Sequence, residues 1–280
     1  MKLASILTDG EAVYGRVNGA AIEVPADEFR VRFPDLKSVL VGDALAELAQ
    51  TDVAQSVLIN DAEFLPLISN SGRILCVGIN FMAHMKEMGH GPSDTPVLFV
   101  RFNDSQVGHG QPLLHPGVSE QYDYEGEFAF VIGKTAHRVK AADAYDHVAG
   151  YTCFMDGSVR DWQRHASQFT PGKNFYQSGS CGPWLVTADE IPDPTQLKLE
   201  TRLNGEVMQQ GEISDLKFDI PALVEYCSTF CKLEPGDVIS TGTPSGVGFG
   251  RDPQVWLKPG DTLEVEVDQI GVLANTIVAA

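Results

Sequence analysis

A mainly β chain with a minority of helix, an α+β fold whose sheets are curved rather than doubly wound, is what the 280-residue sequence predicts. Three observations predict it. Apolar runs of strand length recur along the chain while helical patterns are few. Asn204-Gly205 separates two strand-like runs, a strong signal for a type I′ hairpin. The glycines at 246, 248 and 250 have neither the spacing nor the following helix of a dinucleotide fingerprint.

Residues 1–68 read as a small N-terminal α+β appendage and residues 69–280 as the main domain. In the appendage, alternating segments Ala12–Val17 and Ala21–Val24 are joined by the turn Asn18-Gly19, and a helical pattern follows at Leu36–Leu48. No constellation of catalytic side chains falls in it. The turn-rich stretch Ser69-Asn70-Ser71-Gly72 marks the junction. Ile74–Val77 is then a short apolar strand, Phe81–Met88 a short helix, and Pro96–Phe102 another strand. Glu127–Ile132 and Val148–Met155 are apolar runs suited to buried strands. Leu197–Leu203 and Glu206–Gln210 flank the hairpin turn. Asp219 caps a helix with Pro221 in its first turn and Leu223, Val224, Cys227, Phe230 and Cys231 as its core-facing stripe. Val238–Thr241 and Leu263–Val278 close the chain as strands, and no internal repeat is visible.

Hydrophobic residues make up 43% and charged residues 21%, ordinary values for a folded chain. The 20 basic and 38 acidic side chains leave a net charge of −18. Such a surface repels phosphate backbones and anionic lipid heads, and no run of lysine or arginine supplies a local exception. The expectation is therefore no nucleic-acid and no membrane partner. No apolar stretch approaches the roughly 20 residues that span a bilayer. The start, Met1 to Asp9, meets an acid too soon for a signal peptide, so cytoplasmic residence is the default. The five cysteines (Cys76, Cys153, Cys181, Cys227 and Cys231) lie mostly in apolar runs without a zinc-site spacing, and read as small buried hydrophobes.

The sharpest local signal is Asp123-Tyr124-Glu125-Gly126-Glu127-Phe128-Ala129-Phe130-Val131-Ile132. Strand residues two apart share a face, with α-carbons about 6.5–7 Å apart, so Glu125 and Glu127 aim at one region of space. Two adjacent ionised carboxylates at the mouth of a core are costly unless a cation or a proton neutralises them. By itself the pair fits an edge strand with solvated acids equally well. Asp156 adds a third acid where the apolar run Val148–Met155 gives way to Gly157-Ser158. Taken alone it reads more simply as a helix cap, yet Ser158 with Asp161 makes a capping box that frees Asp156 for another task. Three hard oxygen donors favour magnesium, manganese or calcium over zinc.

Five blocks then match one family. Gly-Ile-Asn-Phe-Met-Ala-His84-Met-Lys-Glu87, Tyr-Glu125-Gly-Glu127-Phe, Met-Asp156-Gly-Ser-Val-Arg160-Asp161-Trp-Gln163, Gly-Lys173-Asn-Phe and Thr241-Gly-Thr243-Pro-Ser-Gly-Val-Gly resemble the fumarylacetoacetate hydrolase family, in the expected order over residues 70 to 278. The resemblance implies a mixed β-sandwich roll, a homodimer, and Mg²⁺ or Mn²⁺ held by Glu125, Glu127 and Asp156. It implies a small keto-acid substrate: hydrolysis of a carbon–carbon bond in an acylpyruvate-type β-diketo acid, or alternatively decarboxylation of oxaloacetate or isomerisation of a hydroxymuconate. Members often carry Lys-Pro where this chain has Arg101-Phe102, and Ser-Ala-Arg-Asp where it has Ser158-Val159-Arg160-Asp161. Both departures are expected to leave the metal site alone and to bear on the substrate.

Roles for the other matched residues follow from the same resemblance, and each has a plainer alternative. Lys173, pointing inward, would stabilise negative charge on the substrate; otherwise it is a solvated surface lysine. Arg160 and Gln163, three apart on a helix, would hold a substrate carboxylate or distal oxygen; otherwise Arg160 makes a surface salt bridge. His84 with Glu87 would activate a water for hydrolysis; otherwise they are a solvated helix pair. Thr243 in its turn would present a hydroxyl to the substrate. His90, His109, His115, His137, His147 and His165 have no partner that the sequence identifies.

Overall fold

The computed structural model describes residues 1–87, 89, 91 and 93–280. Strands dominate, as the short apolar runs require. A large mixed sheet runs in the order Val53–Leu58, Ala21–Pro25, Glu11–Asn18, Lys2–Thr8, Gly179–Thr187, Val148–Met155, Gly126–Ile132, Val238–Ser240, Ile74–Gly78, Val97–Arg101. A second sheet holds Glu206–Glu212, Lys198–Leu203, Thr262–Val267, Gly271–Ala279 and Leu113–His115. Asn204 and Gly205 both adopt positive φ, +53° and +81°, the geometry a type I′ hairpin demands.

The sequence alternation of Gly126–Ile132 decides how the layers stack. Phe128, Phe130 and Ile132 join Tyr151, Cys153, Leu199, Val265 and Leu273 in the core between the two sheets. Ala129 and Val131 face the opposite way, into a core completed by Leu3, Tyr14, Phe29, Leu36 and Leu40. Every residue of that strand is buried, so it runs through the middle of the molecule. Residues 1–68 supply the second cover, and their strands extend the large sheet through Lys2–Val186 and Leu3–Leu185 pairing.

The helix Ile220–Phe230 is capped by Asp219, whose side chain accepts from the Ala222 amide at 2.9 Å. Leu223, Val224 and Cys227 are buried. Phe230 is not: it is exposed and packs edge-on against Tyr226, because it lies in the last turn of the helix beyond the reach of the core. Asp219→Ala should lower stability by about 1 kcal/mol, measured by urea denaturation with an unchanged m-value. The short helix after the strand Ile74–Gly78 is Met82–Glu87, and the expected end at Met88 lies outside the described residues.

Candidate metal centre

Strands Gly126–Ile132 and Val148–Met155 are antiparallel neighbours, with Gly126 opposite Met155. That register sets Glu125 beside Asp156, and the Asp156 amide donates to the Glu125 carbonyl at 2.9 Å. One carboxylate oxygen from each of Glu125, Glu127 and Asp156 lies within 4.8 Å of the others, and all three residues are buried. Gly126 between the two glutamates is gripped on every side. A Cβ there would meet the Thr201 hydroxyl. Its amide donates to Gln209 Oε1 at 3.0 Å, and its carbonyl accepts from Thr243 Oγ1 at 2.9 Å. The hairpin delivers Gln209, whose amide nitrogen also donates to Thr243 Oγ1 at 2.7 Å. The Thr243 hydroxyl is thus engaged with the backbone that carries the acids.

Three buried cations face these acids. Arg101 Nη1 donates to Asp156 Oδ1 at 2.6 Å and to the Gly157 carbonyl at 2.9 Å. Arg160 Nη2 stands 2.7 Å from both Glu125 Oε1 and Asp123 Oδ2. Lys173 Nζ donates to Glu125 Oε2 and Asp156 Oδ2, each at 2.6 Å, and to Ser158 Oγ at 2.7 Å. Burial opposes the charge of Lys173, but Asp156 and Glu125 outweigh it and hold the ammonium above its ordinary pKa. Burial likewise opposes ionisation of Glu125, and Arg160 and Lys173 reverse that and hold it well below the carboxylate range.

Glu127 is different. Its Oε2 accepts from the Ser240 hydroxyl and from the Gly242 amide, the latter at 3.1 Å, and among the described residues it makes no ion pair. Burial, with Asp156 and Glu125 nearby, pushes its pKa well above the usual range. Four buried acids (Asp123, Glu125, Glu127, Asp156) therefore oppose three cations, and the uncompensated charge falls on Glu127. A hard divalent cation on these oxygens would neutralise it, and the all-carboxylate donor set fits Mg²⁺ or Mn²⁺.

The cluster opens onto a cavity of about 310 Å³. Its polar lining includes His84, Glu125, Glu127, Arg160, Gln163, Lys173 and Thr243; its apolar lining includes Val77, Ile79, Phe99, Phe169 and Phe249. His84 is buried and its Nδ1 lies 2.8 Å from Glu87 Oε2, while Glu87 Oε1 accepts from the Gly246 amide at 2.8 Å. Arg160 Nη1 donates to Gln163 Oε1 at 3.0 Å, so these two share a face. Of the other histidines, His109 accepts from the Ala274 amide, and His90 lies outside the described residues. The capping box does not form. Ser158 lies in a strand, donates to the Asp156 carbonyl and accepts from Lys173, while Asp161 accepts from Ser119.

The roles of Arg101, Asp123 and Ser240 were not legible in the sequence. Arg101, expected as a family departure to leave the metal site alone, instead bonds the proposed metal ligand Asp156, because the strand it ends runs into the same buried cluster. Asp123 reads as an ordinary strand-end acid, yet it accepts from Arg160 and from the Gly248 and Phe249 amides and so ties the helix to the 246–250 loop.

A family model described as fumarylacetoacetate (FAA) hydrolase C-terminal matches residues 73–278. A relative named oxaloacetate tautomerase YisK from Bacillus subtilis is 44% identical over 215 residues, covering 76% of this chain and 71% of its own length. The human mitochondrial oxaloacetate tautomerase FAHD2A is 39% identical over 242 residues, covering 85% and 77%. Among solved structures, a fumarylacetoacetate hydrolase from Exiguobacterium antarcticum superposes with a TM-score of 0.86 at 33% identity over the whole of both chains. A maleylpyruvate hydrolase from Sphingobium sp. SYK-6, in complex with manganese(II) and pyruvate, superposes with a TM-score of 0.80 at 25% identity, again over the whole of both chains.

Proposed function

The chain belongs to the fumarylacetoacetate hydrolase family, and from that premise we propose that it interconverts the keto and enol forms of an oxaloacetate-type keto acid with a divalent cation, Mg²⁺ or Mn²⁺, as cofactor. The observation that carries the reading is the buried meeting of Glu125, Glu127 and Asp156 beside Arg160 and Lys173 in one cavity. The two tautomerase relatives and the manganese–pyruvate complex support it.

Glu125, Glu127 and Asp156 would hold the cation, which when bound supplies Lewis-acid stabilisation of negative charge on a keto acid's adjacent oxygens. Arg160, already fixed by Asp123, Glu125 and Gln163, would hold its positive charge on the cavity wall to attract the substrate carboxylate, with Gln163 beside it. Lys173 places a buried positive charge where the keto oxygen gains electron density, and the apolar lining lowers the local dielectric, which strengthens that attraction. The β-carbon of such a substrate is already acidic. Tautomerisation therefore asks for charge stabilisation and a proton acceptor of ordinary strength, solvent or His84.

The second reading, hydrolysis of an acylpyruvate-type β-diketo acid, is favoured by the His84–Glu87 pair. With Nδ1 directed at Glu87, Nε2 of this cavity-lining imidazole makes no hydrogen bond among the described residues, the arrangement a water-activating base needs. Homodimeric assembly and a functional division at residue 68, with every proposed site residue in 69–280, belong to the same proposal. The test is direct: the chelator-stripped chain is assayed against oxaloacetate, an acylpyruvate panel and hydroxymuconates, before and after Mg²⁺ or Mn²⁺. Cation-dependent enol–keto conversion of oxaloacetate, followed by ultraviolet absorbance and NMR, is the expected result. Full activity in the stripped protein would sink the reading.

A further inference from the structure

Each acid of the cluster has one oxygen held away from its neighbours. Arg101, fully buried, takes Asp156 Oδ1 at 2.6 Å and is itself fixed by donating to Ser178 Oγ at 2.9 Å and to the Gly157 carbonyl. Ser240 and the Gly242 amide take Glu127 Oε2. Arg160 takes Glu125 Oε1. The remaining oxygens of Asp156 and Glu125, Oδ2 and Oε2, both accept from the Lys173 ammonium.

We propose that Arg101 and Ser240 are positioning residues that confine Asp156 and Glu127 to a single oxygen each, and so set a preference for a small octahedral ion over Ca²⁺. The inference rests on the cation reading above. Ca²⁺ takes six to eight oxygens and gains from carboxylates that bind through both; Mg²⁺ takes six in a strict octahedron and is satisfied by single oxygens plus water. A carboxylate whose outer oxygen is tied to a fixed guanidinium cannot swing to offer both. Arg101 does this with five donors in a rigid plane, and its Nε is itself fixed by donating to Ser105 Oγ at 3.2 Å.

The experiment is calorimetric titration of the chelator-stripped full chain with MgCl₂, MnCl₂ and CaCl₂, with melting temperature recorded for every variant. The wild type should bind Mg²⁺ and Mn²⁺ in preference to Ca²⁺. Arg101→Met should reduce the Mg²⁺-over-Ca²⁺ affinity ratio about tenfold, the lower end of what loss of an outer partner typically costs a metal site, and Arg101→Lys should restore part of it. Should Arg101→Met fail to fold, Ser240→Ala decides, since it leaves Glu127 Oε2 held by the Gly242 amide alone and should shift the ratio in the same direction. A ratio unchanged in Ser240→Ala, or both ions weakened equally in the folded variants, overturns the inference while leaving the cation reading intact. A wild type that binds none of the three ions overturns both.

Discussion

Glu127→Gln is expected to lower cation-dependent turnover by about a thousandfold or more, since Lewis-acid stabilisation contributes several kcal/mol and each 1.4 kcal/mol is a decade. The substitution is nearly isosteric and keeps an acceptor for Ser240 and Gly242. It removes the one acid of the cluster that has no cationic partner among the described residues. The metal-free variant should therefore melt at or above the wild type at pH 7. The sign follows from burial and the neighbouring acids, which raise the Glu127 pKa in the folded chain. The folded state then binds its proton more tightly than the unfolded state, and wild-type stability without metal falls as pH rises above the ordinary carboxylate range. The variant lacks that loss. Turnover within tenfold of wild type, with full cation binding, would remove Glu127 from the ligand set.

His84→Ala separates the two reactions that the same cavity can support. Loss of a general base costs about 10²- to 10⁴-fold, so acylpyruvate hydrolysis, which requires an activated water, should fall by that amount in kcat. Tautomerisation of oxaloacetate should fall less than about tenfold, because the carbon acid also exchanges its proton with solvent and the buried charges of Arg160 and Lys173 are untouched. The pair is positioned by more than spacing: Glu87 is anchored through its second oxygen to the Gly246 amide, which fixes the imidazole toward the cavity. Equal loss of both reactions would make His84 the proton carrier at carbon rather than the activator of water.

Much of the fold was legible because its rules are local. Continuous apolar runs located the strands Gly126–Ile132 and Val148–Met155 within a residue, and a two-residue Asn-Gly spacer placed the hairpin that delivers Gln209. The helix at 220–230 was readable from its Asp cap and first-turn proline. Its exposed Phe230 was not, since where a helical stripe ends depends on what packs beyond it. The expected box between Ser158 and Asp161 failed for a similar reason. Lys173, fifteen residues downstream, claims the serine hydroxyl, and a buried ammonium beside two carboxylates outweighs a capping hydrogen bond.

The sequence by itself determined the chemistry available at the site: which acids sit at strand ends, that they are hard donors, and which family pattern they match. Only the tertiary structure decided the electrostatic balance. Arg101 reaches Asp156 across 55 residues, Arg160 reaches Asp123 across 37, and Ser240 reaches Glu127 across 113. Pairings of that separation leave no periodic trace, because they are set by which strands become neighbours in the sheet. Those neighbours determine which acids are compensated and which one is left for a metal ion.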